Sequence, residues 1–181
     1  MNKKKHMIAI VFILLIGGLL TTFALVYFRS DVTAVTLKVE ASLEKYINYV
    51  NGTPILGDSN TVLETGTSYL DGESTEIEFW KTPEAVNMDI KGYIYLNLDA
   101  ISSNLANNAG FKWTVTSNNE ILNEGDFIGC QQGDKITILN IDDLSTVQTK
   151  YQIHIWLDEN EITTDVSGET FTLIVSCEAT D

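Results

Sequence analysis

The hydrophobic and polar positions of this chain follow two regimes. From Met7 to Phe28 no charged residue occurs, whereas from residue 32 onward apolar and polar side chains alternate with a period of two. The first pattern predicts a helix, which at ~1.5 Å per residue crosses a hydrocarbon core of roughly 30 Å. The second predicts strands with one buried face. Val35, Leu37 and Val39 alternate with Thr36, Lys38 and Glu40; Ile77 and Phe79 with Glu76, Glu78 and Trp80; Phe111, Trp113 and Val115 with Lys112, Thr114 and Thr116. In the longest run Met88, Ile90, Ile94, Leu96 and Leu98 share a face, opposite Lys91, Tyr93, Tyr95, Asn97 and Asp99, and Gly92 reads as a bulge in that row. Ile136 and Ile138 follow Gly133-Asp134, and Tyr151–Leu157 and Phe171–Cys177 supply two closing strands.

Turn formers separate these segments: Asn51-Gly52-Thr53-Pro54, Gly57-Asp58, Asp71-Gly72, Ser117-Asn118-Asn119, Glu124-Gly125-Asp126, Gly133-Asp134 and Ser167-Gly168. Short strands with one apolar face each bury it best by stacking two sheets, so the expected fold is mostly β, an antiparallel β-sandwich. Helical spacing is confined to two short stretches. Leu98, Ile101 and Leu105 mark Asp99–Asn107, with Asp99 as its cap, and Leu43, Tyr46, Ile47 and Val50 mark Ser42–Tyr49.

Two domains follow: residues 1–30 as an N-terminal membrane anchor or signal segment, and residues 31–181 as an extracellular body. Lys3, Lys4 and Lys5 outweigh Arg29 across the apolar run, which places the N-terminus in the cytoplasm and the body outside, with residues 7–28 as the membrane contact. Thr22-Phe23-Ala24 is a small-x-small site, so the same segment also reads as a signal peptide cut near Ala24, giving a secreted body.

Charge sharpens this division. The chain has 25 acidic and 11 basic residues in 181; residues 1–30 hold four cations and no acid, leaving 25 acids against 7 bases beyond them. Such a surface repels phosphate backbones, which excludes nucleic acid as an expected partner. The 44% hydrophobic content excludes a disordered acidic tail, and two cysteines exclude a disulfide scaffold.

Few catalytic parts are present. The histidines are His6, beside the apolar run, and His154, in a predicted strand, so no two-histidine zinc motif can be assembled. There is no GxSxG elbow and no glycine-rich phosphate loop, so no catalytic residue, metal ligand or cofactor is assigned and the expected class is non-enzymatic. Asp158-Glu159-Asn160-Glu161 lacks the EF-hand pattern, and it reads with Asp142-Asp143 as a solvated acidic turn. Cys130 and Cys177 lie in the exported part, either as a disulfide or with Cys177 as a small buried hydrophobe. Tyr93, Tyr95 and Trp156 fall on the parity opposite the core, as does His154; on neighbouring strands they would make a stacking platform, and otherwise a loop, sheet or subunit covers them.

Two regions resemble a known family. The lysine-led apolar run ending Thr21-Thr22-Phe23-Ala24, followed by Phe28 and Asp31, resembles the export signals of the TasA/camelysin group of Gram-positive surface proteins. The closing segment from Gly168 to Thr180 is similar to the last strand of that group, and Tyr151–Asp158 looks like a penultimate strand of anchored Firmicutes surface proteins. The resemblance implies a jelly-roll-like sandwich that polymerises by lending its first strand to a neighbour. Here the donor is Asp31–Glu40, with Val32, Val35, Leu37 and Val39 as its apolar positions.

The expected role is therefore a cell-surface structural or adhesive subunit, fibre-forming by strand donation, with further copies or related surface subunits as partners. The alternative is a monomeric binding module for cell-wall glycan or peptide, using Tyr93, Tyr95 and Trp156.

Overall fold

The computed structural model describes residues 37–57 and 65–181. The expected membrane segment at 7–28, the cleavage position near Ala24, and Val32 and Val35 lie outside the described residues, as does Asp58 of one expected turn.

The described chain is mostly β, with eleven strands: β1 (Leu37–Val39), β2 (Ile47–Val50), β3 (Ile55–Gly57), β4 (Thr65–Gly66), β5 (Glu73–Lys81), β6 (Lys91–Ile101), β7 (Phe111–Ser117), β8 (Glu120–Asp126), β9 (Lys135–Ile141), β10 (Lys150–Asp158) and β11 (Phe171–Thr180). They form two sheets. One runs β1-β11-β6-β9, with β3 also on β11; the other runs β2-β5-β10-β7-β8, with β4 also on β10. Pairing is antiparallel throughout except for β1 with β11 and β4 with β10.

Inward side chains of both sheets make a single cluster. Ile94, Leu96 and Val175 from one sheet share it with Phe79, Ile153 and Ile155 from the other, and the rings of Phe111 and Phe171 meet across it at 5.1 Å. Ile90 is fully buried although it precedes β6. Alternation produces this arrangement wherever one face of a strand meets apolar neighbours, because each buried aliphatic or aromatic side chain gains about 1.5–3 kcal/mol on leaving water.

Gly92 is not a bulge: it pairs in regular register with Ile141 and Ala179. Its role is close approach, since a Cβ there would lie 2.6 Å from Leu144 Cδ2. The irregularities of β6 fall instead between Ile94 and Tyr95, against β9, and opposite Thr172 and Leu173 of β11.

Both expected helices are shorter than their spacing suggests. Asp99 does not cap a helix, because β6 continues to Ile101 and pairs there with Phe171. The helix that follows, α1, is Ser103–Ala106, with Ser102 at its N-cap. In Ser42–Tyr49 a 3-10 turn at Glu44–Tyr46 gives way to β2, where Ile47 and Tyr49 lie opposite Lys81 and Phe79 of β5. Cross-strand packing of β-branched and aromatic side chains overrides the helical spacing.

β8 occupies a stretch the alternation does not mark. Asn118 and Asn119 both adopt positive φ, 50° and 65°, which closes a tight hairpin from β7. Glu124-Gly125-Asp126 is strand and not turn, and Gly125 is there because the Trp113 indole lies on it, 2.5 Å from where a Cβ would stand.

Candidate functional site

β11 is flanked on one side by β6 along its whole length and on the other by two short pieces. β3 pairs antiparallel with Phe171–Leu173, and β1 pairs parallel with Cys177–Ala179, Leu37 opposite Cys177 and Val39 opposite Ala179. Leu37 and Val39 pack partly buried against the core, while Lys38 points outward and bridges Glu178 at 3.0 Å. Of the four donor candidates, Leu37 and Val39 are thus placed on the edge of the last strand.

The outer face of this sheet carries a polar network centred on Glu178. Tyr95 Oη donates to its carboxylate at 2.7 Å, and Lys135 stands 3.5 Å from the same group and 3.6 Å from the Tyr95 ring centroid. The Tyr95 hydrogen bond, then Lys38, hold Glu178 below the usual carboxylate range; burial, then Glu178, push Tyr95 up to about 12. The Asn97 amide donates to Ser176 Oγ at 2.7 Å and to the Ile174 carbonyl. Tyr93 lies parallel to Tyr95 with centroids 6.3 Å apart.

Trp156 is not part of that face. It lies on β10, in the other sheet, so the expected three-ring platform does not form. Its indole is buried, donating to Thr114 Oγ1 at 3.2 Å with Lys112 Nζ 5.6 Å above the ring. His154, two residues earlier, is only 5% exposed and lies under the Tyr69 ring at 4.9 Å. The Tyr93–Tyr95 pair is left alone, with one of its rings already covered by a lysine.

Cys130 and Cys177 are both free, so the disulfide does not form in this structure. Their levels in the sheet explain it. Cys177 is level with Ile94, while the turn carrying Cys130 closes on Leu98 through Gly133 N at 2.7 Å. Four residues along a strand are about 13 Å, well beyond the reach of a disulfide. Cys177 is 1% exposed, and burial raises its thiol pKa far above the ordinary value.

The two acidic turns are ion-paired rather than merely solvated. Lys112 bridges Asp158 at 2.9 Å and Glu161 at 2.8 Å, and Asn160 folds its amide onto Asp158. Lys81, 2% exposed, reaches Asp143 at 2.6 Å and the Met88 carbonyl at 2.7 Å, and Asp143 also accepts from Ile90 N. Lys81 follows Ile77 and Phe79 on the inward parity, so a cation in a core row was the available signal of an acidic partner. Among the described residues, no group of three or more His, Cys, Asp or Glu side chains is placed to hold a metal ion.

No family model matches the chain, and neither a curated protein nor a solved structure matches it.

Proposed function

We propose that this chain is a non-enzymatic cell-surface subunit, structural or adhesive, anchored or exported through residues 7–28 and fibre-forming by donation of the segment 31–40. The two-sheet body supports a jelly-roll reading. Without β1, β2 and β4, the remaining eight strands run β3-β11-β6-β9 and β5-β10-β7-β8, the order produced when a long hairpin rolls into two four-stranded sheets.

The observation that carries strand donation is the place of β1 in that order. It is supernumerary, only three residues long, parallel where β3 beside it is antiparallel, and set on the edge of the final strand. Vacating it costs few ladder hydrogen bonds, and β11 then offers an edge matched to the same segment of a neighbour. The resemblance of the termini to the TasA/camelysin group points the same way. The cell-wall binding reading loses support because Trp156 is buried on the other sheet and Tyr95 is occupied by Glu178 and Lys135.

The test is to delete residues 31–40 from the full chain and follow assembly by electron microscopy and sedimentation. Loss of polymers from a variant that keeps its β-type circular dichroism is expected. Undiminished polymers reject donation.

A further inference from the structure

The segment Thr65–Gly72 crosses the outer face of β10 as a strap. Its start, β4, pairs with only Leu157 and Asp158, and Glu159 N donates to the Gly66 carbonyl at 3.0 Å. A 3-10 turn at Tyr69–Asp71 follows, closed by Asp71 accepting from Ser68 N at 3.2 Å and Ser68 Oγ accepting from Leu70 N. Its end, Gly72, sits so near β10 that a Cβ would lie 2.2 Å from the Ile155 carbonyl oxygen. Leu70 is 70% exposed and anchors nothing, so the ring contact of the strap with the sheet is Tyr69 on His154.

Beneath that ring, Nε2 of His154 is buried without a hydrogen-bond partner. A neutral imidazole tolerates this position, but an imidazolium there would be a buried charge with an unpaired donor, which is far more costly. Most of the surrounding charges among the described residues are already paired. On β10, Lys150 pairs with Glu76 and Glu78 of β5 and Asp158 pairs with Lys112 of β7, while Asp71 of the strap closes its own turn. Glu73 of β5 lies opposite Ile155, one position from His154. Among the described residues packed against His154, Tyr69 is the remaining titratable group.

We propose that His154 and Tyr69 form a proton-operated latch: with the imidazole neutral the strap lies closed, and a proton on His154 releases it, freeing the edge of β10 at Leu157 and Asp158. Burial lowers the pKa of His154 below its ordinary 6.5, so the closed form excludes the proton and the open form accepts it. Closure is therefore complete above about pH 6.5 and weakens as pH falls below that value.

The experiment uses the full chain in detergent micelles. Amide-exchange protection factors are measured at pH 7.5 and 5.0 for residues 65–72 and for β6 and β11, alongside an imidazole NMR titration, which has two histidines to resolve. Protection of the strap is expected to fall at least tenfold at the lower pH while β6 and β11 hold theirs, with His154 titrating below 6.5 and His154→Phe keeping the strap closed at both pH values. An equal loss of strap protection in His154→Phe overturns the latch, as does a His154 that titrates at or above 6.5. Should the variant fail to fold, the native chain decides: strap amide shifts that follow the His154 titration support the latch, and shifts that do not follow it overturn it.

Discussion

β8 ends its sheet with seven residues, six of them exposed, whereas the free side of β11 is covered by two pieces of three residues each. The longer edge is the better defended. Leu122 is the extra residue of a bulge against β7, where Val115 lies opposite Asn123 and Thr116 opposite Ile121, and Glu120, Glu124 and Asp126 place three acids along the strand. Asn123 further ties β8 to β9 by donating to the Ile138 carbonyl at 2.8 Å. Bulges and like charges are the usual means of blunting an edge against pairing with another chain. The side of β11 has neither acid nor bulge in β1: its three residues are Leu, Lys and Val, and the lysine meets an acid already on β11. Under the proposed strand donation, the exposed edge of β8 is thus not the reactive one, and the covered edge of β11 becomes reactive because its cover is cheap to remove.

The largest effect separating the two edges is expected from charge placed on the inward side of β1. Leu37→Asp with Val39→Asp should reduce the assembly rate at least tenfold, read by light scattering, because a carboxylate cannot enter the apolar positions beside Cys177 and Ala179 in either the same or a neighbouring chain. Ile121→Asp with Leu122→Asp on β8 should leave the rate unchanged, since these side chains are 51% and 42% exposed. Equal losses from both pairs would erase the distinction.

A smaller effect tests whether β8 is structural. Gly125→Val should destabilise the body by about 1–3 kcal/mol in urea unfolding, because the side chain would overlap the Trp113 ring. Assembly of the folded fraction should be unaffected. A neutral substitution would mean that the indole moves aside freely.

The contrast between the edges also explains what could be read from the sequence. Strands with one continuous apolar row announce themselves, so the inward rows of β5, β6, β7, β10 and β11 follow directly from alternation, as does the outward parity of Trp156 and His154, although both of those are buried. β8 is exposed on both faces and has no apolar row to display. β1 does alternate, but parallel pairing with the far end of the chain leaves no trace in three residues. Which sheet a strand joins is equally silent: Tyr95 and Trp156 share a parity yet stand in different sheets. The pair of buried Lys81 and half-exposed Asp143 joins residues 62 positions apart, and only the lysine, in an inward row, betrays it.

The finest expected effect concerns the ion pair between Lys38 of β1 and Glu178 of β11. Glu178 has a carboxyl held below its ordinary value by Tyr95 first and Lys38 second, so its contribution is present above about pH 4.5 and is lost as pH falls through the lowered value. Lys38 is 79% exposed, which limits the bridge to about 0–1 kcal/mol. Lys38→Ala should therefore leave global unfolding almost unchanged while raising amide exchange in Leu37–Val39 a few-fold at pH 7, and the difference from the native chain should vanish under acid, where Glu178 is protonated. β1 is held mainly by Leu37 and Val39 in this account, and the salt bridge trims its rate of departure. A loss of global stability of several kcal/mol in Lys38→Ala would instead make β1 an integral strand of its sheet, and the cheapness of its removal, on which the contrast with β8 rests, would go with it.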